Sequence, residues 1–474
     1  MNWKNILKSL KSRDMQKRLL IVIGIIIVYR FLAHVPVPLA EPTQLKEVLN
    51  NLLSQSDFGG FINILSGGAL ANLSIVLVGL SPYITASVIT QLLTKAIPKL
   101  EELHKDGEVG RRKIQQWTRI ITLPLAVMQS IAFIFILRQS VLAGNTGVDI
   151  TASTTVLQWV IMVGAMTAGA MLLMWLGELM TEQGVGNGMS LLIFAGIISQ
   201  LPQTMGTLVT SLTSIGTEAD KLHVFNWFTL PVNAFAFWVS LGLIVGGLIV
   251  LYIIVKINEA QRVITINYAK RVQGNRAYGG VTSILPVKLI TAGVIPVIFA
   301  VAFLALPAFV GQVLKGVADP YWAEVGQNLS VWFQTPNAQL FAQGDISTII
   351  YPAAYFVLVV AFTYFYTSIV FNSTEIAENL QKQGGFIANI RPGQQTEKYL
   401  RRTVTRLTLF GSVALGIIAV LPFVTEFIFA KFGVTGIQNL AIGGTGLLIV
   451  VSVTLETLRQ INSRALMVTY DQDY

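Results

Sequence analysis

The chain has 474 residues, 53% of them hydrophobic and only 12% charged, with a formal charge of +9 and no cysteine. Soluble domains carry roughly 25% charged residues, so this balance excludes an ordinary soluble protein and describes a polytopic membrane protein. The missing cysteine excludes disulfides and thiolate metal sites, and the positive charge does not by itself signal nucleic acid, because Lys and Arg accumulate on the cytoplasmic loops of membrane proteins.

Lys4, Lys8, Lys11, Arg13, Lys17 and Arg18 precede an apolar run from Leu19, a pattern like the start of a signal peptide. No small-x-small cleavage site follows and many more spans do, so this run reads as a retained first helix. A helix-length window gives ten spans, near 19–36, 73–95, 117–138, 155–178, 188–210, 234–256, 287–310, 348–371, 404–424 and 438–458. About 27 of the 33 Lys and Arg fall in the N-terminal segment, in alternate connections with their flanks, and in the tail, against about five on the other side. That alternation places both termini in the cytoplasm and requires an even number of spans.

Between the first two spans lies a short apolar piece, Phe61 to Leu65, then Ser66, Gly67, Gly68, Ala69 and Leu70 before the long run from Leu73. Gly67 and Gly68 weaken helix propagation, which makes the stub a movable part; the same small residues also serve close packing between membrane helices. The external connection Gln200 to Asn233, rich in Ser, Thr and Gly, has five spans on either side. Five spans return the chain to the opposite face, so the second half starts inverted, and the connection reads as a hinge or as a long loop.

Three cytoplasmic connections carry basic residues: GEVGRRKIQQWTR at Gly107 to Arg119, QRVITINYAKRVQGNRAY within 256–288, and NIRPGQQTEKYLRR at Asn389 to Arg402. In the second, Val263 to Tyr268 alternates like a strand and Gly274-Asn275 supplies a turn, so a protruding hairpin is expected. Topogenic bias accounts for much of this charge, and exposed basic tips also suit RNA phosphate or an acidic protein surface. On the external side Tyr321, Trp322, Trp332, Phe333 and Phe341 read as headgroup-level anchors.

No charged residue lies at the middle of a span; Arg30, Lys95, Glu178 and Glu456 are all near ends. Ion-coupled transporters place ionisable groups at mid-membrane, so the pattern speaks against one. His34, His104 and His223 form no metal spacing, and GVGNGMS (Gly184 to Ser190) and GGTG (Gly443 to Gly446) lack the Lys-Ser or Lys-Thr of a phosphate loop. The expectation is a protein that is not an enzyme and needs no cofactor or metal. The spans instead offer aliphatic residues beside Pro and Gly: Leu80 and Ile84 around Pro82, Ile193 and Ile197, Ile298 after Pro296, and Ile449 after GGTG. A solute transporter and an insertase-like scaffold share the topology; the first requires mid-membrane charge, the second a polar groove without an aliphatic ring.

The motifs YRFLAHVPVP, FINILSGGAL, LSPYITASVITQLL, EVGRRKIQQWTR, GVGNGMSLLIFAGI, INYAKR, LPVKLITAGVIP, NIRPGQQTEKYLRR, TRLTLFGS and GGTGLLIVVSV, ordered along nearly the whole chain, resemble the bacterial form of the SecY family, the central subunit of the protein-conducting channel. The resemblance implies an all-α polytopic membrane protein with ten transmembrane helices in two pseudo-symmetric five-helix halves, 1–215 and 216–474, forming a clamshell with a short plug helix. It implies passage of unfolded secretory polypeptides and release of signal sequences and membrane segments into lipid. By resemblance Leu80, Ile84, Ile193, Ile197, Ile298 and Ile449 form the constriction ring. Phe61, Leu65, Ser66, Gly67, Gly68, Ala69 and Leu70 belong to the plug, at about 60–72, and Thr85, Gln129 and Ile290 belong to the lateral gate between spans 2 and 3 and spans 7 and 8. Ile290 stands where the family commonly has Asn. Lys270, Arg271, Arg276 and Arg391, in cytoplasmic connections 256–288 and 372–406, correspond to positions that dock the ribosome or the SecA motor. Small SecE-like and SecG-like membrane subunits, signal peptides, nascent chains and the lipid bilayer are the further implied partners, and the bacterial inner membrane the implied location.

Overall fold

The computed structural model describes residues 13–37, 69, 73–143, 155–213, 221–224, 228–268, 271–273, 276–278, 282–315, 319–333, 336, 341, 347–431 and 444–472. Ten of its helices overlie the ten expected spans: α1 (Arg13–Leu32), α2 (Ser81–Ala96), α4 (Gly107–Ala143), α5 (Val156–Glu182), α6 (Gly188–Thr213), α7 (Ala234–Glu259), α8 (Ile295–Leu314), α10 (Ser347–Val370), α12 (Gln394–Lys431) and α13 (Gly444–Gln472). Shorter helices α3 (Pro98–Lys105), α9 (Pro320–Trp332) and α11 (Ser373–Lys382) lie in the connections. Among the described residues five stretches are long and apolar enough to cross a membrane, Gly107–Phe135, Val156–Glu182, Ala234–Glu259, Thr348–Lys382 and Gln394–Thr425, with shorter apolar helices at Gly188–Pro202 and Ile295–Gly311.

Three expectations need correction. The second span begins not as helix but as a run of turns over 73–80, because Leu73 and Gly79 adopt positive φ (46° and 62°) and Pro82 enters the first helical turn, where a missing N–H costs nothing. The seventh likewise starts late: 282–288 is strand, Gly293 has φ 63°, and the helix begins only at Ile295. The first and third basic connections are largely helical, since α4 runs unbroken from Gly107 and α12 from Gln394.

The expected hairpin is present. β3 (Gln261–Tyr268) pairs antiparallel with β6 (Thr282–Lys288), and β4 (Arg271–Gln273) with β5 (Arg276–Tyr278) beyond them. A third strand joins from far along the chain, β7 (Gly385–Ile387), on the other edge of β3. Ile264, Val287 and Ile387 bury one face of this sheet against Leu400 and Val404 of α12, which seats the hairpin on the long helix. An external two-stranded pair, β1 (Lys221–Val224) and β2 (Phe228–Asn233), precedes α7.

Apolar burial concentrates in one cluster to which α1, α2, α5, α6, α8, α10, α12 and α13 all contribute. A second, smaller cluster joins Phe133 and Ile134 of α4 to Leu73, Leu77, Met162 and Met166. At the junction of turns and helix, Gly169 of α5 lies so close to the main chain of Ile75 that a Cβ there would collide with the Ile75 carbonyl oxygen.

Candidate functional site

Leu80 is the N-cap residue of α2, and its carbonyl accepts the first helical bond from Ile84 N–H at 3.0 Å, so the two side chains sit one turn apart. Ile193 and Ile197 repeat that spacing on α6, Ile298 lies in the first turn of α8, and Ile449 in the second turn of α13. All six are buried, between 2% and 8% exposed, and all six belong to the main apolar cluster. The four elements that carry them all contribute to this apolar core, with α2 packed on α8 and α6 packed on α13.

Of the stub, Ala69 alone is described; Phe61, Leu65, Ser66, Gly67, Gly68 and Leu70 lie outside the described residues. Ala69 is fully buried in the same cluster as the six aliphatic residues, and its carbonyl accepts a hydrogen bond from Ser74 N–H at 2.9 Å. Ala69 is therefore anchored within the apolar core.

Thr85, next to Ile84, is 3% exposed, and its hydroxyl has no hydrogen-bond partner among the described residues. Gln129 is half-buried on α4, which packs on α2. The Thr85 Oγ1 thus lies unpaired in an apolar setting among the described residues. Ile290 precedes α8 rather than lying in it, is 7% exposed, and sits over Gly411 of α12, where an added Cβ would lie 3.5 Å from Ile290 Cγ1.

Arg271 and Arg276 fall on paired strands, in register with Tyr278 and Gln273 respectively, while Lys270 lies outside the described residues. Arg391 is exposed in the turns that lead into α12, between Asn389 and Gly393, both at positive φ (63° and 94°). The Thr396 hydroxyl, buried, donates to the Arg391 carbonyl at 3.0 Å and fixes that turn. β7 immediately precedes it, so the two basic connections form one surface tied by the β3–β7 pairing.

Comparison with known proteins follows the same architecture. The family model described as SecY matches residues 74–458, and the protein translocase subunit SecY of Mycobacterium tuberculosis is 38% identical over 474 residues, covering 98% of each chain. The chain belongs to the SecY family. The corresponding SecY of Streptomyces coelicolor is also 38% identical, again over 98% of both chains. Among solved structures, a protein-conducting channel superposes with a TM-score of 0.59 at 20% identity, covering 94% of this chain and 91% of that one. The Sec61 chain of a canine ribosome-channel complex gives 0.52 at 19% identity, covering 94% and 91%; both show the fold. As a SecY family member the chain is a protein translocase subunit with the fold of a protein-conducting channel.

Sequence reasoning missed the polar ties between the spans. Arg119 of α4 grips Glu178 of α5 in a two-pronged pair, Nε to Oε1 and Nη2 to Oε2 both at 2.8 Å, and Gln115 Nε2 donates to Oε1 at 3.3 Å. Arg18 donates to the Gln183 carbonyl at 3.1 Å, and Arg30 to Ser199 Oγ at 2.8 Å, so α1 is held near both ends. Asn258, Ser452 and Arg459 join α7 to α13. The available signal was the presence of charged residues at span ends, but partners 59 to 201 positions apart cannot be matched by spacing.

Proposed function

We propose that Leu80, Ile84, Ile193, Ile197, Ile298 and Ile449 form the constriction of a gated channel through which unfolded polypeptides pass, with the driving force supplied by a partner. The observation that carries this is that the six aliphatic side chains are all buried in the main apolar core on helices that pack in pairs, α2 on α8 and α6 on α13. Aliphatic constrictions exclude ions and water by dewetting, and van der Waals contacts part around a threaded chain without breaking hydrogen bonds. The buried end of the stub at Ala69 supports a plug at about 60–72, next to the constriction. Residues 1–215 and 216–474 act as the two halves of the clamshell, with Thr85, Gln129 and Ile290 at the lateral gate where signal sequences and membrane segments reach lipid.

Lys270, Arg271, Arg276 and Arg391 dock the ribosome or the SecA motor, and the continuous sheet from β6 through β3 to β7 supports a single docking surface. SecE-like and SecG-like subunits complete the complex in a bacterial inner membrane, with both termini cytoplasmic. The chain does no catalysis of its own. The test is site-specific crosslinking from Ile84 and Ile193 to a stalled translocating polypeptide. Both positions should capture the chain during transit; capture at lipid-facing Ile120 in place of either position would rule out a central path.

A further inference from the structure

Ile449, Ser452, Glu456 and Arg459 succeed one another on α13 at intervals of three, four and three, which sets them along one stripe of the helix. The upper end of that stripe is the constriction residue Ile449. Lower down, Ser452 Oγ accepts a hydrogen bond from Asn258 Nδ2 at 2.7 Å, and Arg459 Nη2 donates to the Asn258 carbonyl at 3.0 Å. Asn258 and Ser452 are 8% and 7% exposed. Asn258 is the penultimate residue of α7, and two residues on the Ala260 carbonyl accepts from Leu289 N–H at 2.9 Å, closing the base of the β3–β6 hairpin. On the other leg, Lys288 ends β6 within the electrostatic reach of Arg459 and Glu456; burial holds its ammonium below the ordinary lysine range, with Arg459 adding to the effect. Both legs of the hairpin therefore meet the stripe that carries Ile449.

Much of the buried surface of α13 is aliphatic, with Leu448, Val451, Val453 and Ile461 in the apolar core. Apolar contact is non-directional and tolerates a slide along the helix axis. A buried amide and hydroxyl do not, because a shift of one residue, about 1.5 Å of rise, strands both polar groups. We propose that Asn258, Ser452 and Arg459 are positioning residues of the gate, which set the axial register of α13 against the hairpin base and so hold Ile449 in the constriction. A load on the hairpin then reaches the constriction through α13. This rests on the constriction reading above.

The test uses the channel complex reconstituted in planar bilayers, with export of a reporter bearing a defective signal as second readout. Ser452→Val and Ser452→Thr have nearly the same shape and differ in the hydroxyl. Ser452→Val should raise resting open probability about fivefold, the equivalent of one lost hydrogen bond, and Ser452→Thr should keep the seal. Asn258→Leu should behave like Ser452→Val, and the double variant should leak no more than the worse single variant. Equal seals in the Val and Thr variants, or a loss of folded protein with no rise in leak per channel, overturn the proposal. Ile449→Asn is the control that separates the two ideas. If it leaks while the tether variants stay tight, only the tether fails; if it too stays tight, the constriction reading fails first.

Discussion

The ion pair between Arg119 and Glu178 makes an asymmetric prediction. The Glu178 side chain is 9% exposed and that of Arg119 46% exposed, although they share two contacts of 2.8 Å. Arg119→Met strands a buried carboxylate with Gln115 as its remaining donor, and removing one partner of a buried pair costs about 3 kcal/mol. Glu178→Gln leaves a half-exposed guanidinium that water can solvate, with an amide oxygen still in reach, so the loss falls to about 1 kcal/mol. Replacing both, Arg119→Met with Glu178→Leu, removes the desolvation penalty altogether and should recover most of the stability lost in Arg119→Met. The assay is thermal unfolding of the detergent-solubilised complex, read as the fraction remaining monodisperse. An equal loss in the two single variants, or a double variant as weak as the sum of the singles, would refute the assignment of Glu178 as the buried partner. The consequence would reach the proposed lateral gate, because Gln129 sits ten residues above Arg119 on α4, about 15 Å along the same helix, and a freed lower end lets that segment swing.

Other perturbations test other joints. Gly169→Ala forces α5 away from the Ile75 carbonyl and should destabilise the complex by about 1–3 kcal/mol, whereas Gly164→Ala, five residues earlier on the same helix with nothing within 4 Å of the new methyl, should be neutral or stabilising by a few tenths of a kcal/mol; the thermal assay reads both. Reversing charge with Arg271→Glu and Arg391→Glu should weaken sedimentation with ribosomes or with the motor by at least tenfold while protease mapping of the loops stays as in the parent, and unchanged binding would detach both residues from docking. Deleting residues 60–72 should give transient open states in a planar bilayer, and a membrane that stays silent would leave the stub a packing element only.

The ten spans were readable because a bilayer demands about twenty apolar residues for each crossing, and the hairpin because alternation at Val263 to Tyr268 has a period no helix can use. Helix starts were not readable. Residues 73–80 are as apolar as the helix that follows, yet they turn, and the decision is made by backbone conformation at Leu73 and Gly79, which hydropathy does not register. The basic segments after Gly107 and Gln394 were assigned to loops on charge alone, though both continue as helix into the span. β7 is three residues long and pairs with a strand about 120 positions earlier, too short for any periodicity to announce it.

The site divides along the same line. The one-turn spacing of Leu80 with Ile84 and of Ile193 with Ile197 is local, so those pairs stood out, while the packing of their helices on those that carry Ile298 and Ile449 is a tertiary property. In a membrane the surroundings of every helix are equally apolar, so hydrophobic burial alone fixes neither the partner nor the register of a span. Those choices fall to the few polar groups that lipid cannot satisfy. Glu178, Asn258, Ser199 and Ser452 each meet a donor or acceptor on a different helix; the Glu178 and Asn258 ties lie near helix ends, whereas Ser199 meets Arg30 midway along α6. At the six aliphatic residues of the proposed constriction the side chains can separate and close again, because an aliphatic side chain makes no directional bond that has to be broken when a polypeptide passes.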